Sequence, residues 1–316
     1  MPIKKYITSL ILAVFLPLYS FSSLASLHKL ENFGDNPGDI EASYFIPKTS
    51  EQQNTSLPLV VLLHGCAQKA EELAQQSGLL GLAKQHKFAL LLPQQALTNN
   101  IKRCFNWYSP DDYTLDKGET LSIKNMITSF KQQISSKNVY IIGLSAGGAM
   151  TSSILVNYPE LFTAGAVVAG IPFPCADGLI KGISCMRNGP SQTSTELATL
   201  IQSTKDQSSK SIIWPKISVW TGVEDGIVNP LNSTMLAEQW VQLSGIESPP
   251  KRSENLGYKV TQWQHDNDVS VELVEVLERG HGIMVNPKEK NGGEVADYVL
   301  SSPVSTAKHV IGFWKL

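Results

Sequence analysis

Residues 140–150 read YIIGLSAGGAM, an apolar run that leads into Gly143-Leu144-Ser145-Ala146-Gly147 and then into small residues able to open a helix. A serine with glycines at these positions fits G-x-S-x-G, the signature of a nucleophile carried on a sharp turn from strand to helix. Such a turn presses backbone against backbone and leaves no room for side chains two positions to either side of the serine. It also lifts the hydroxyl clear of the sheet, while the N–H groups and dipole of the following helix favour negative charge developing beside it. Without its strand and helix the same pentapeptide would be an ordinary glycine turn. With them, Ser145 is a candidate nucleophile.

A serine hydroxyl is a weak nucleophile at neutral pH, so it needs a base, and the base needs an acid to orient it. In chains that carry this turn the order is serine, carboxylate, histidine. His265, His281 and His309 follow Ser145. His309 stands in an apolar helical stretch beside Val310 and Ile311, and His265 falls between YKVTQWQ and DND, which reads as an exposed hairpin turn. His281 stands between Gly280 and Gly282 directly after the strand-like VELVEVLE, where loops carry chemistry, and is the preferred base. The acid should follow a strand between the two, and KISVWTGVED ends in Glu224 and Asp225 before GIVNP turns the chain away. Asp225 is preferred, with Glu224 as its rival.

The oxyanion of an acyl-transfer reaction needs two backbone donors: the N–H of Ala146, and one from the loop after VVLLHG, where Cys66 stands. His64 precedes the serine and reads as a residue that shapes this loop by hydrogen bonding, with Gly65 allowing close approach. Phe105, Trp107 and Tyr108 are candidates for an apolar wall against an acyl group; each fits equally well as a core aromatic.

These residues must be held by strands that alternate with helices. PLVVLLHGC and FALLLP are unbroken apolar runs, as expected of strands buried on both faces of a parallel sheet. EASYFIP, NVYIIG, AGAVVAG, KISVWTG and VELVEVLE also read as strands. KAEELAQQ, LLGLAKQHK, residues 120–135, STMLAEQWVQL and STAKHVIGFWKL read as helices. The alternation implies an α/β fold with a mainly parallel central sheet covered on both faces, its reactive groups in loops at the carboxyl ends of the strands.

Across 316 residues, 42% hydrophobic and 17% charged with a mean hydropathy of -0.06, the composition is that of a soluble globular protein. Lys4 and Lys5, an apolar run from about Ile7 to Tyr19 and the small residues of Ser23-Leu24-Ala25 read as a secretory leader over 1–25, cut after Ala25. The run is shorter than the roughly 20 apolar residues that span a bilayer, so no stable membrane insertion is expected after cleavage. Cleavage removes two of the 26 basic residues and none of the 28 acidic ones, taking the formal charge from -2 to -4. That balance offers nothing to nucleic acid. Four cysteines in an exported chain suit disulfides, with three connectivities open. No repeat or second domain is visible, which leaves 26–316 as one catalytic domain.

Taken together, LHGCAQ (63–68), CFNWY (104–108), GLSAGGAM (143–150), YPELFTAGAVVAGIPFPCA (158–176), GVEDGIVNP (222–230) with AEQW after it, and GHG (280–282) resemble the secreted poly(3-hydroxybutyrate) depolymerase family of esterases. Feruloyl and acetylxylan esterases belong to the same family. The resemblance runs from about residue 40 to the C-terminus and implies an α/β-hydrolase fold with Ser145 as nucleophile, Asp225 as acid and His281 as base. It also implies a Cys66–Cys104 disulfide, which leaves Cys175 and Cys185 to close a short loop. The implied activity is hydrolysis of poly- or oligo(3-hydroxybutyrate) or related short-chain hydroxyacyl esters, with no cofactor and no metal. A feruloyl or acetylxylan-type esterase is the alternative. A serine peptidase on the same fold and a non-catalytic polymer-binding protein are weaker readings. After His281 relatives usually carry an Ala-Trp-rich segment, where this chain has GIMVNPKEKNGG, so the substrate itself is not fixed. The linker and polymer-binding domain common in polymer-degrading members are not seen before the chain ends in VIGFWKL. The partner expected is thus an ester in the periplasm or outside the cell.

Overall fold

The structure is a computed structural model that describes residues 27–48, 56–205, 212–266 and 268–316. The leader expected over 1–25 lies outside the described residues. In chain order the elements are β1 (His28–Lys29), β2 (Glu41–Phe45), β3 (Leu59–Leu63), α1 (Ala70–Gln76), α2 (Leu79–His86), β4 (Ala89–Gln94), α3 (Pro110–Tyr113), α4 (Gly118–Gln133), β5 (Val139–Leu144) and α5 (Ala146–Asn157). They continue with β6 (Ala164–Val168), α6 (Leu179–Asn188), α7 (Ser194–Thr204), β7 (Lys216–Gly222), α8 (Leu231–Leu243), β8 (Lys251–Asn255), β9 (Tyr258–His265), β10 (Asp268–Val276), β11 (Ile283–Val285), β12 (Val299–Ser301) and α9 (Thr306–Trp314).

One ten-stranded sheet runs β1-β2-β4-β3-β5-β6-β7-β10-β9-β8. Its middle, from β4 through β10, is parallel, and antiparallel strands extend both edges. The apolar runs of β3 and β5 are buried throughout, and the two-residue period of a strand divides their side chains between two cores. Val61 and Ile141 face one core with Met126, Phe130 and Trp240; Val60 and Ile142 face the other with Leu73, Leu82 and Trp314. Helices therefore cover both faces, as the alternating pattern requires. Among the described residues no helix is long and apolar enough to cross a membrane.

Two regions depart from the sequence reading. β8 and β9 continue the sheet past β10 as an antiparallel hairpin with exposed residues, and the GIMVNPKEKNGG segment contributes Ile283–Val285 to a separate parallel pair with Val299–Ser301. The helices α6 and α7 lie between β6 and β7, where the sequence reading placed none.

Candidate active site

β5 sits near the middle of the sheet, and its carboxyl end runs straight into α5 through Ser145. Ser145 has φ 56° and ψ -117°, a strained backbone for a residue with a Cβ. The turn is fixed by its N–H donating to Val168 O at 2.8 Å and by its carbonyl accepting from Ala149 N at 2.9 Å. A Cβ on Gly143 would stand 2.2 Å from the Gly147 carbonyl oxygen, and one on Gly147 would stand 2.4 Å from that of Leu63. Glycine is thus required by contact at both flanking positions.

β7 and β10 are parallel neighbours, so their carboxyl ends bring the segments that follow them together. A Cβ on Gly222 would stand 2.3 Å from the carbonyls of Arg279 and Gly280, and Glu224 N donates to Arg279 O at 2.9 Å. This apposition sets Asp225 beside His281. Nδ1 of His281 donates to Asp225 Oδ2 at 2.7 Å, and its Nε2 lies 2.8 Å from Ser145 Oγ. The other carboxylate oxygen of Asp225 accepts from the N–H groups of Ile227 and Val228, both at 2.9 Å. With its side chain fully buried and both oxygens engaged, Asp225 can turn only one edge to the imidazole. Its rival Glu224 is exposed. An imidazole held this way can take the hydroxyl proton of Ser145 and return it to a leaving group.

The other two histidines stand elsewhere. His265 ends β9 with an exposed side chain near Asp266, and His309 on α9 lies 3.1 Å from the buried Glu272 and edge-on to Trp220. His64 is fully buried at the end of β3. Its Nε2 accepts from Gln95 N at 3.1 Å, which leaves Nδ1 to donate to Gly65 O at 2.7 Å. Burial lowers its pKa to about 4, so the ring is neutral at ordinary pH.

The loop after β3 reaches Ser145: a Cβ on Gly65 would be 3.5 Å from that of Ser145. Hydrogen bonds organise the loop through Gly65, Ala67 and Gln68, and the turn through Ser145 and Ala149; the N–H groups of Cys66 and Ala146 take no part in them. Cys66 is disulfide-bonded to Cys104 and Cys175 to Cys185.

A cavity of about 360 Å³ opens at Ser145 and His281, lined by Cys66, Gln68 and Lys102 and by Met186, Ile227 and Tyr298. A larger groove of about 610 Å³, with Lys29, Glu41, Glu72 and Arg103 in its charged walls, contains none of the three residues joined above. The aromatic wall read from the sequence needs correction at Phe105. That side chain is fully buried and packs on the His64 ring at 5.0 Å, the core role that its type allowed equally well. Trp107 and Tyr108 are half-buried, packed edge to face and set against α6 at Gly182; neither lines the cavity. Met186, Ile227 and Tyr298 were missed because they come from three distant segments with no shared motif.

Comparison with known proteins gives the family. Residues 42–253 match the family described as esterase PHB depolymerase. The chain is 34% identical over 302 residues to poly(3-hydroxyalkanoate) depolymerase C of Paucimonas lemoignei, covering 93% of this chain and 71% of that protein. It is 30% identical over 231 residues to feruloyl esterase B of Thermothelomyces thermophilus, covering 71% and 77%. The solved acetyl xylan esterase from Aspergillus awamori shares the fold, with a TM-score of 0.75 over 92% of this chain and 99% of that one, at 20% identity. Sheet, helices and relatives all agree on an α/β-hydrolase, and the chain belongs to the PHB depolymerase family of esterases, enzymes that hydrolyse carboxylic esters.

Proposed function

We propose that the chain is a secreted serine esterase in which Ser145 is the nucleophile, His281 the base and Asp225 the orienting acid. The observation that carries this reading is the continuous contact from Asp225 Oδ2 through His281 to Ser145 Oγ, at 2.7 and 2.8 Å. Ser145 Oγ attacks the ester carbonyl while His281 Nε2 accepts its proton. The tetrahedral oxyanion is met by the N–H groups of Cys66 and Ala146. His281 then gives the proton to the departing alkoxide, and water, activated by the same imidazole, releases the acyl group.

Its substrates are poly- or oligo(3-hydroxybutyrate) or related short-chain hydroxyacyl esters. The depolymerase relative supports this, being matched over more of this chain than the feruloyl esterase. The modest cavity, with Met186 and Ile227 in its lining, suits a short acyl chain. Feruloyl and acetylxylan esters are the second class. Two disulfides fit an oxidising compartment, in accord with a cleaved leader over 1–25 and one catalytic domain over 26–316.

An organophosphonate followed by mass spectrometry tests the mechanism. One adduct on Ser145 is expected, and Ser145→Ala should take none while losing activity on the order of ten thousand-fold with its fold intact. A folded Ser145→Ala protein that keeps a tenth of the activity would overturn the assignment. Purified protein screened against hydroxybutyrate oligomers, short acyl esters, feruloyl esters and acetylated xylan tests the substrate class.

A further inference from the structure

Glu119, near the start of α4, is fully buried, and no lysine or arginine is among its partners. Its Oε1 accepts from Gln95 Nε2 at 2.5 Å and Asn99 Nδ2 at 3.2 Å, and its Oε2 accepts from Asn106 N at 2.8 Å. Burial, with the nearby Asp112 charge, pushes its pKa up to about 8, against the pull of these three donors. A carboxyl kept in so costly a place calls for a reason.

The reason lies three hydrogen bonds away. Gln95 Nε2 also donates to Cys104 O at 3.1 Å, and the Gln95 backbone N–H donates to His64 Nε2, whose Nδ1 donates to Gly65 O. That carbonyl belongs to the peptide unit whose N–H is Cys66. In a planar trans peptide the carbonyl and the N–H point in opposite directions, so fixing one aims the other. Gln95 therefore reaches the same peptide by two routes: through His64 to its carbonyl, and through Cys104 and the disulfide to Cys66 itself.

We infer that Glu119 is a positioning residue for ester hydrolysis: by holding Gln95 it sets the orientation of the Gly65–Cys66 peptide and so aims the Cys66 N–H at the oxyanion. This rests on the serine-esterase reading above. In Glu119→Gln one oxygen becomes an NH2 that cannot accept: set against Asn106 N it breaks that backbone bond beside the Cys104 segment, and set against Gln95 it turns that amide over so that Cys104 O loses its partner.

Because the Cys66 N–H acts on the tetrahedral state, the test compares turnover with binding. On a p-nitrophenyl butyrate substrate, Glu119→Gln should lower kcat about ten- to a hundredfold, within the range for one oxyanion donor, and change KM less than about threefold. The inhibition constant of butylboronic acid, which forms a tetrahedral anion on the serine, should rise by a factor matching the fall in kcat. His64→Gln, which keeps a group facing Gln95 but withdraws the donor from Gly65 O, should show the same pattern, and the double variant should be no slower than the worse single one. Unchanged kcat in folded Glu119→Gln, losses that multiply in the double variant, or a boronate constant that stays at the wild-type value would overturn the inference. If Glu119→Gln does not fold, wild-type kcat in folded His64→Gln does so alone. Failure of the serine-esterase reading is distinct, since it would appear as boronate inhibition and turnover that survive in Ser145→Ala.

Discussion

The cavity at Ser145 is bounded by two kinds of structure. The loop after β3 is held by polar groups that are out of water: His64 and Glu119 fully buried, Gln95 engaged at both ends of its amide, and Cys66 tied to Cys104. α6, which supplies Met186, is the reverse. Its Leu179, Ile180 and Ile183 are 56%, 85% and 43% exposed, it buries only Gly182 and Cys185, and it is moored by Cys175–Cys185 and by Asn232 donating to the Cys185 and Met186 carbonyls. In the proposed mechanism the atoms that stabilise charge are fixed by hydrogen bonds in a low dielectric, where a donor already aimed costs no reorganisation. Atoms that meet an apolar acyl group need only shape and contact.

The sharpest break of that contrast is to cut each disulfide in turn. Closing loops of 38 and 10 residues, the bridges should contribute on the order of 4 and 3 kcal/mol to stability. Their kinetic effects should differ in kind. Cys66→Ala keeps the backbone N–H but loosens its aim, so kcat should fall by up to about a hundredfold while KM holds. Cys175→Ala loosens α6 and should raise KM a few-fold with kcat nearly intact. Melting curves and steady-state kinetics on both variants check this, and equal effects on kcat would erase the contrast between the two regions.

This difference also explains what could be read from the sequence. Ser145 between its glycines, Asp225 after β7 and His281 after β10 each stand at the carboxyl end of a strand with a visible apolar run, so type and position coincide. Asp225 and Glu224 follow the same strand, so the sequence prefers Asp225 without separating the two; in the structure Asp225 is buried against His281 and the N–H groups of Ile227 and Val228, while Glu224 is exposed. α6 places Leu179, Ile180, Ile183 and Met186 at helical spacing, but that stripe faces solvent and the cavity, so even once seen it does not reveal what the helix packs on. α7 carries a local signal, the Thr193–Glu196 capping box, ahead of a helix that buries only Leu197, Ala198 and Ile201. Glu119 looks like one surface acid in an amphipathic helix; its burial follows from a long-range contact with residues 95–106 that no local pattern reports.

The polar region should also leave a mark on stability against pH. Between about 4, the pKa of buried His64, and about 6.5, that of a free imidazole, the unfolded chain binds a proton that the folded protein refuses. Stability from this group is therefore complete above about pH 6.5 and lost as pH falls towards 4, by about 3 kcal/mol in full. Glu119 acts with the opposite sign, since its carboxyl is raised to about 8 and the folded state keeps the proton longer, so its contribution declines as pH rises from about 4.5 to 8. Urea unfolding at a series of pH values should show the acid limb flatten in His64→Gln and the decline between about pH 4.5 and 8 flatten in Glu119→Gln. An acid limb that is identical in wild type and His64→Gln would remove the buried imidazole from this account.

The smallest effect expected lies on the apolar side. Met186 and Ile227 line the cavity from α6 and from the turn after Asp225, and neither is hydrogen-bonded through its side chain to Ser145, His281 or Asp225. Truncating Met186 to Ala removes apolar surface and opens room for a longer acyl group. Each methylene of an acyl chain buried against protein is worth about 0.8 kcal/mol at most, so Met186→Ala should raise KM for a butyryl ester only about three- to tenfold. The same variant should lose less, or gain, on octanoyl esters, because the vacated space accepts the added carbons. Ile227→Ala should follow the same trend more weakly, since Ile227 is already 41% exposed. The measurement is kcat/KM along a series of p-nitrophenyl esters of rising chain length. A preference that shifts with length in these variants, beside a uniform loss across the series in Cys66→Ala, would separate the region that selects the acyl group from the region that stabilises charge. A uniform loss in both would mean that α6 supports the reaction itself.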